Sequence, residues 1–105
     1  MRFRRRTDSN HAEIVRALKQ IGCSVLDLSA VGAGCPDILI GYRGRNVLVE
    51  IKRWGHIDKP QGRHERETAE RQKRFRDGWN GLPVAVVDSI EQAVLVATAA
   101  QGVTR

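Results

Sequence analysis

Asp37, Glu50 and Lys52 are the residues of this chain whose types and spacing can do chemistry together. Two carboxylates offer hard oxygen donors for a divalent cation, and one ammonium can steer a water or a phosphate oxygen. They occur as Pro36-Asp37 and then, across one apparent hairpin, as Glu50-Ile51-Lys52. Asp37-Ile38-Leu39-Ile40 and Val47-Leu48-Val49-Glu50-Ile51-Lys52 are dense in β-branched residues. The stretch between them, Gly41-Tyr42-Arg43-Gly44-Arg45-Asn46, is rich in turn formers, so the two runs predict an antiparallel pair. Side chains alternate across a strand, which puts Glu50 and Lys52 on one face roughly 6–7 Å apart and Val47, Val49 and Ile51 on the other. An isolated E-x-K at the end of an apolar run marks the solvated edge of a sheet. Pro36-Asp37 upstream gives this one a second carboxylate.

The elements that must position these groups follow from periodicity. Asp8-Ser9 supplies N-cap oxygens, and Ile14, Leu18 and Ile21 recur at helical spacing up to Gly22, predicting a helix over about 9–21. Glu13 lies about 100° from Ile14, at the margin of that stripe, where it can reach solvent or lean over the sheet edge. Ser24-Val25-Leu26-Asp27-Leu28 reads as a first strand. Gly32 and Gly34 lead into a strand rather than a helix and lack a following Lys-Ser/Thr, so they are not a nucleotide loop; they let the backbone turn and place Asp37. The polar stretch from Arg53 to His64 reads as a substrate-facing loop. Trp54 and His56 there can stack on a base or cover a sugar, or Trp54 can seal the sheet edge, and Arg53, Lys59 and Arg63 can contact phosphates.

A helix over about 65–78 carries Thr68, Gln72, Phe75 and Trp79 on one stripe, with Phe75 and Trp79 expected to bury against the sheet. Gln72 then points inward as well and needs a polar partner, because an unpaired buried amide costs on the order of 1–3 kcal/mol. Val84-Ala85-Val86-Val87-Asp88 is a fully apolar strand between helices, which predicts a parallel neighbour reached by a crossover. Ser89 caps a last helix running to Ala100. The expected fold is α/β, a three-layer α/β/α sandwich on a mixed sheet. With 105 residues it forms one domain, with a basic arm (1–7) and a tail (101–105) expected to be flexible.

Pro36-Asp37, Glu50-Ile51-Lys52 and the helix-borne Gln72 resemble the PD-(D/E)XK nuclease superfamily, and within it the VRR-NUC family of the stand-alone phage and bacterial type. The similarity runs from about Glu13 to Val96, with the order helix, strand, Pro-Asp strand, Glu-x-Lys strand, Gln helix, strand, helix. The resemblance implies a restriction-endonuclease-like core and a metal-dependent DNA endonuclease. Asp37, Glu50 and the backbone carbonyl of Ile51 would bind Mg²⁺ or Mn²⁺, with Glu13 as an auxiliary ligand. Lys52 would orient or deprotonate a water, and Gln72 would position that water or a neighbouring group. Proteins of this type are similar in fold to Holliday-junction resolvases, which implies a homodimer cutting branched DNA structure-selectively.

Charge agrees with a polyanionic partner. There are 18 Lys+Arg against 12 Asp+Glu, a net charge of +6, and 15 of the 18 basic residues fall in two places. Four are Arg2, Arg4, Arg5 and Arg6, and eleven lie between Arg43 and Arg76, a localised footprint rather than an even coat. DNA is the expected partner, with RNA open, and no nucleotide cofactor is expected. No apolar run approaches membrane-spanning length, so no membrane role and a cytoplasmic location (bacterial, or a phage-infected host) are expected. Cys23 and Cys35 lack C-x-x-C spacing and are expected as free buried thiols, with no indication of zinc or secretion. Two rivals share these features: a basic nucleic-acid-binding module without turnover, and a general nuclease without structure selectivity.

Overall fold

A computed structural model of the chain describes residues 7–53 and 62–102. The elements run α1 (Thr7–Gln20), β1 (Ser24–Asp27), β2 (Ile38–Tyr42), β3 (Arg45–Ile51), α2 (Gly62–Gly78), β4 (Ala85–Val87) and α3 (Ile90–Gly102). The strands form one sheet in the order β1-β2-β3-β4. The first three make an antiparallel meander, and β4 lies parallel to β3. Parallel pairing after an antiparallel hairpin requires a crossover, and α2 lies within it.

Alternation along the strands builds two unlike faces. Ile38 pairs with Val49 and Ile40 with Val47, and these four side chains bury with Val87 against Ile14 and Leu18 of α1 and Ala93 and Ala97 of α3. Leu48 and Glu50 are buried on the opposite face, the side on which α2 lies. α2 has no fully buried residue, so one outer layer is sealed and the other is only partly so. The α/β/α order is therefore as expected. α3 opens with the expected cap: the Gln92 N–H donates to Ser89 Oγ at 3.1 Å, and the Asp88 N–H donates to Gln92 Oε1 at 2.7 Å. Among the described residues no helix is long and apolar enough to cross a membrane.

Several boundaries differ from the sequence reading. The six-residue connection expected between β2 and β3 is a two-residue turn, because Arg43 and Gly44 both take positive φ, 52° and 85°, the signature of a tight hairpin turn whose twist matches the flanking strands. Gly41 and Tyr42 pair with Asn46 and Arg45 instead of looping. Trp79 is 45% exposed rather than buried; α2 ends at Gly78, so Trp79 leaves the helical stripe and stacks on half-buried Phe75 with centroids 5.4 Å apart. Ile21 is exposed for the same reason, one residue beyond α1. Helix includes Thr7 at one end and Gln101 and Gly102 at the other, three positions assigned above to arm and tail; the remaining positions of each lie outside the described residues.

The turn that precedes Asp37 carries three successive residues in the left-handed region, Gly32, Ala33 and Gly34, with φ of 76°, 56° and 82°. Gly34 also lies against α2: a Cβ there would lie 2.7 Å from the Arg71 carbonyl carbon, whereas one on Gly32 would meet nothing within 4 Å. Gly34→Ala should therefore cost backbone strain plus displacement of α2, together about 2 kcal/mol or roughly 10 °C in melting temperature. Gly32→Ala should cost the strain alone. Equal melting temperatures for the two variants would mean that α2 does not rest on Gly34.

Candidate active site

The site forms where the start of β2 meets the end of β3. The Asp37 backbone is pinned on both sides: its N–H donates to the Val49 carbonyl at 3.1 Å, and its carbonyl accepts the Leu28 N–H at 2.8 Å. Beyond the last β2–β3 pair, the Ile51 N–H has no ladder partner on that side. Asp37 Oδ2 accepts it at 2.7 Å. A strand residue turns its N–H and C=O to the same side, so the Ile51 carbonyl also faces Asp37.

Glu50 is 3% exposed, on the α2 side of the sheet. Its Oε2 accepts a hydrogen bond from Gln72 Nε2 at 2.5 Å and lies 3.7 Å from Lys52 Nζ. Lys52 Nζ in turn donates to Gln72 Oε1 at 2.5 Å. The Gln72 amide thus uses both ends, one on the amine and one on the acid, which satisfies a polar group on the inward stripe of α2. Burial, and then the neighbouring Asp37 charge, push the Glu50 carboxyl up to about 8; Lys52 and Arg76 offset part of this. The Asp37 carboxyl lies within hydrogen-bonding range of Glu50 and raises it further.

Three contributors were not singled out from sequence. Asn10 donates from Nδ2 to the Lys52 carbonyl at 2.7 Å, tying α1 to the strand end. The signal was available: Asn10, Ile14 and Leu18 recur at intervals of four, so Asn10 shares the inward stripe. Arg76 stands one turn after Gln72, half-buried on a helix otherwise largely exposed, with its charge felt at Glu50. Cys35 is half-buried, and its thiol is pushed up by burial and then by the charges of Glu50 and Asp37. Both cysteines are free, Cys23 in the core and Cys35 beside the acids.

Other expected site residues fall elsewhere. Glu13 is exposed on α1, and among the described residues no three His, Cys, Asp or Glu side chains gather as a metal cluster. The residue that reaches the site from α1 is Asn10, because the 100° offset turns Glu13 outward. Arg53 is exposed directly after Lys52. Arg63 sits in the first turn of α2 rather than in a loop, exposed and 3.5 Å from Glu67. Trp54, His56 and Lys59 lie outside the described residues.

The donor set is oxygen only, two carboxyls with a backbone carbonyl on the same side, and an ammonium and an amide stand against them. That suits a hard divalent cation, and Mg²⁺ in particular, which is held by one or two carboxylates and completes its shell with water and phosphate oxygens. The raised Glu50 carboxyl points the same way: Lys52 and Arg76 offset only part of the burial and of the Asp37 charge.

No family model matches the chain, and no curated protein matches it. Among solved structures, one described as "VRR_NUC domain" superimposes with a TM-score of 0.53 over 88% of this chain and 95% of its own, at 23% identity. The mixed four-stranded sheet, its three helices and their order are thus those of a VRR_NUC domain, and this chain has that fold.

Proposed function

We propose that this protein is a divalent-metal-dependent nuclease of the VRR-NUC type, hydrolysing phosphodiester bonds in DNA. The observation that carries the reading is the convergence of Asp37, Glu50 and Lys52 through Gln72 on one sheet end, in a fold shared with a VRR_NUC domain. Asp37, Glu50 and the Ile51 carbonyl would hold Mg²⁺ or Mn²⁺. When bound there, the cation supplies Lewis-acid stabilisation of charge developing on the phosphate and lowers the pKa of water. Lys52, fixed by the Gln72 oxygen, offers its ammonium to the attacking water and the phosphate. Gln72 keeps Lys52 and Glu50 in register, and Asn10 fixes the backbone that carries Lys52. Arg53 and Arg63, with Trp54, His56 and Lys59, would contact the nucleic acid.

A domain of this size has little surface for reading a long sequence, which favours selection by structure. A homodimer would set two sites on opposed strands of a four-way junction, the arrangement of a Holliday-junction resolvase. The test is cleavage of labelled four-way junction, splayed duplex, linear duplex and single-stranded DNA with Mg²⁺ or Mn²⁺ against EDTA. Paired symmetric nicks on the junction, lost in EDTA, are the expected result. Cutting of every form alike would leave a general nuclease, and salt-sensitive binding without any cutting would leave a binding module. Light scattering of the junction complex should give two protomers; a strict monomer would remove the resolvase reading and keep the nuclease.

A further inference from the structure

α2 carries six Lys and Arg residues, and five of them are exposed. Two of the five are answered along the helix, Arg63 by Glu67 at 3.5 Å and Lys73 by Asp77 at 2.8 Å. Arg76 is the exception: it is half-buried, and no ion pair to it is found among the described residues. Its neighbour Asp77 is already held by Lys73, the main cause of that carboxyl's downward displacement, to which Arg76 adds less.

Residues four apart on a helix share a face, so Arg76 stands on the side of α2 that carries Gln72, about 6 Å further along the axis. Gln72 spans the Glu50 carboxyl and the Lys52 ammonium at 2.5 Å each. The Arg76 charge is felt at Glu50, which puts the guanidinium on the acid side of the helix. Neither acid is its partner, however: Glu50 Oε2 takes the Gln72 amide, and Asp37 Oδ2 takes the Ile51 N–H. A cation drawn partly out of water without a counter-charge is costly to keep, and an anion arriving from outside would supply one. A guanidinium suits that task, because it stays charged when partly buried and its fork of donors matches two oxygens of one phosphate.

We propose that Arg76 is a phosphate-binding residue of the site, its guanidinium donating to the non-bridging oxygens of the phosphodiester that is cut. The proposal rests on the nuclease reading and deepens it by adding a second cationic group to the reaction. In the step itself the water oxygen bonds to phosphorus, and the bond from phosphorus to one bridging oxygen breaks with its electron pair going to that oxygen. The attacking water gives up a proton and the leaving oxygen takes one up. Arg76 exchanges no proton; it stabilises the charge that builds on the non-bridging oxygens. Lys52 is tied to Gln72 and lies 3.7 Å from Glu50, whereas Arg76 has no such commitment among the described residues.

The test is single-turnover cleavage at saturating metal, on whichever DNA form the parent cuts, together with binding in EDTA. Arg76→Ala should lower the rate about a hundredfold, the scale of one lost donor to developing charge, and Arg76→Lys should recover only part of it. Guanidinium ion added below denaturing concentration should restore part of the Arg76→Ala rate, while ammonium ion at the same concentration should not. Arg74→Ala removes the same charge from an exposed position on α2 and should cut at the parent rate. In EDTA, anisotropy titrations against salt should show the log–log slope on duplex reduced by about 0.9 in Arg76→Ala, the value for one phosphate contact. If the parent cuts, then a parent-level rate in Arg76→Ala, an unchanged salt slope, or a loss that guanidinium does not restore overturns the role of Arg76 and leaves the nuclease standing. A parent that binds DNA and cuts no form of it with either metal overturns the nuclease reading itself, and the role of Arg76 with it.

Discussion

Replacing Glu50 by glutamine should leave the metal-free protein about as stable as the parent near pH 4, make it increasingly more stable than the parent from there up to about pH 8 and level beyond, and abolish its affinity for Mg²⁺ or Mn²⁺. The direction follows from the carboxyl's displacement from 4.5 to about 8 on folding. Between those values the folded state keeps a proton that the unfolded chain has released. Stability of the parent therefore falls as pH rises through that window and levels off above it. Each unit of displacement corresponds to about 1.4 kcal/mol, so the full effect is of the order of a few kcal/mol. Glutamine mimics the neutral acid and can still accept the Gln72 amide hydrogen, so in Glu50→Gln this pH dependence disappears. A divalent cation reverses the sense, because it requires the ionised carboxylate and must displace the proton. Apparent cation affinity of the parent should rise with pH up to about 8, with close to one proton released per cation near pH 7. Urea titrations from pH 5 to 9 and calorimetry in buffers of different ionisation enthalpy read both effects. Parallel stability profiles for parent and variant would show that Glu50 titrates normally and would remove the buried-acid account of the site.

The residues that place the site were legible because they obey short periods. The two-residue alternation of Val47 to Lys52 set Glu50 and Lys52 opposite the core face, and the apolar run at Val84–Asp88 required a parallel partner, which β3 supplies. Misreadings arose where backbone conformation overrode composition. Gly41 and Asn46 are turn formers by type, yet they pair across the sheet because the positive φ of Arg43 and Gly44 closes the hairpin in two residues. Helix ends cost Ile21 and Trp79 their expected burial, since a stripe stops meaning anything one residue past the last turn. The spacing of Asn10, Ile14 and Leu18 placed Asn10 on the inward stripe, but its partner is a backbone carbonyl 42 positions away, which that spacing does not identify. Glu13 attracted attention by charge, while the residue that reaches the strand end is a neutral amide. Cys35 likewise read as a free buried thiol, and its place beside the acids follows from the turn through Gly32 to Gly34.

Lys52→Ala should reduce single-turnover cleavage by about a thousandfold at saturating metal, the size of effect expected when a preorganised donor to the developing charge is lost. Nucleic-acid binding should stay within about twofold, because the eleven basic residues from Arg43 to Arg76 drop only to ten. Saturating metal matters: Lys52 lies 3.7 Å from Glu50 and opposes its upward displacement, so the variant also changes the charge that a cation meets, and a rate measured at limiting metal would mix the two effects. Lys52→Arg keeps the charge but cannot reproduce one compact ammonium donating to Gln72 Oε1, so it should keep the parent's metal affinity while losing rate. Gln72→Ala removes the bridge and leaves both charges, and its rate should fall by about ten- to thirtyfold as Lys52 and Glu50 lose their alignment. The ordering of the three variants separates chemistry from positioning. A Lys52→Ala protein that cuts at the parent rate would take the amine out of the reaction and leave Asp37 and Glu50 as a metal site without its partner.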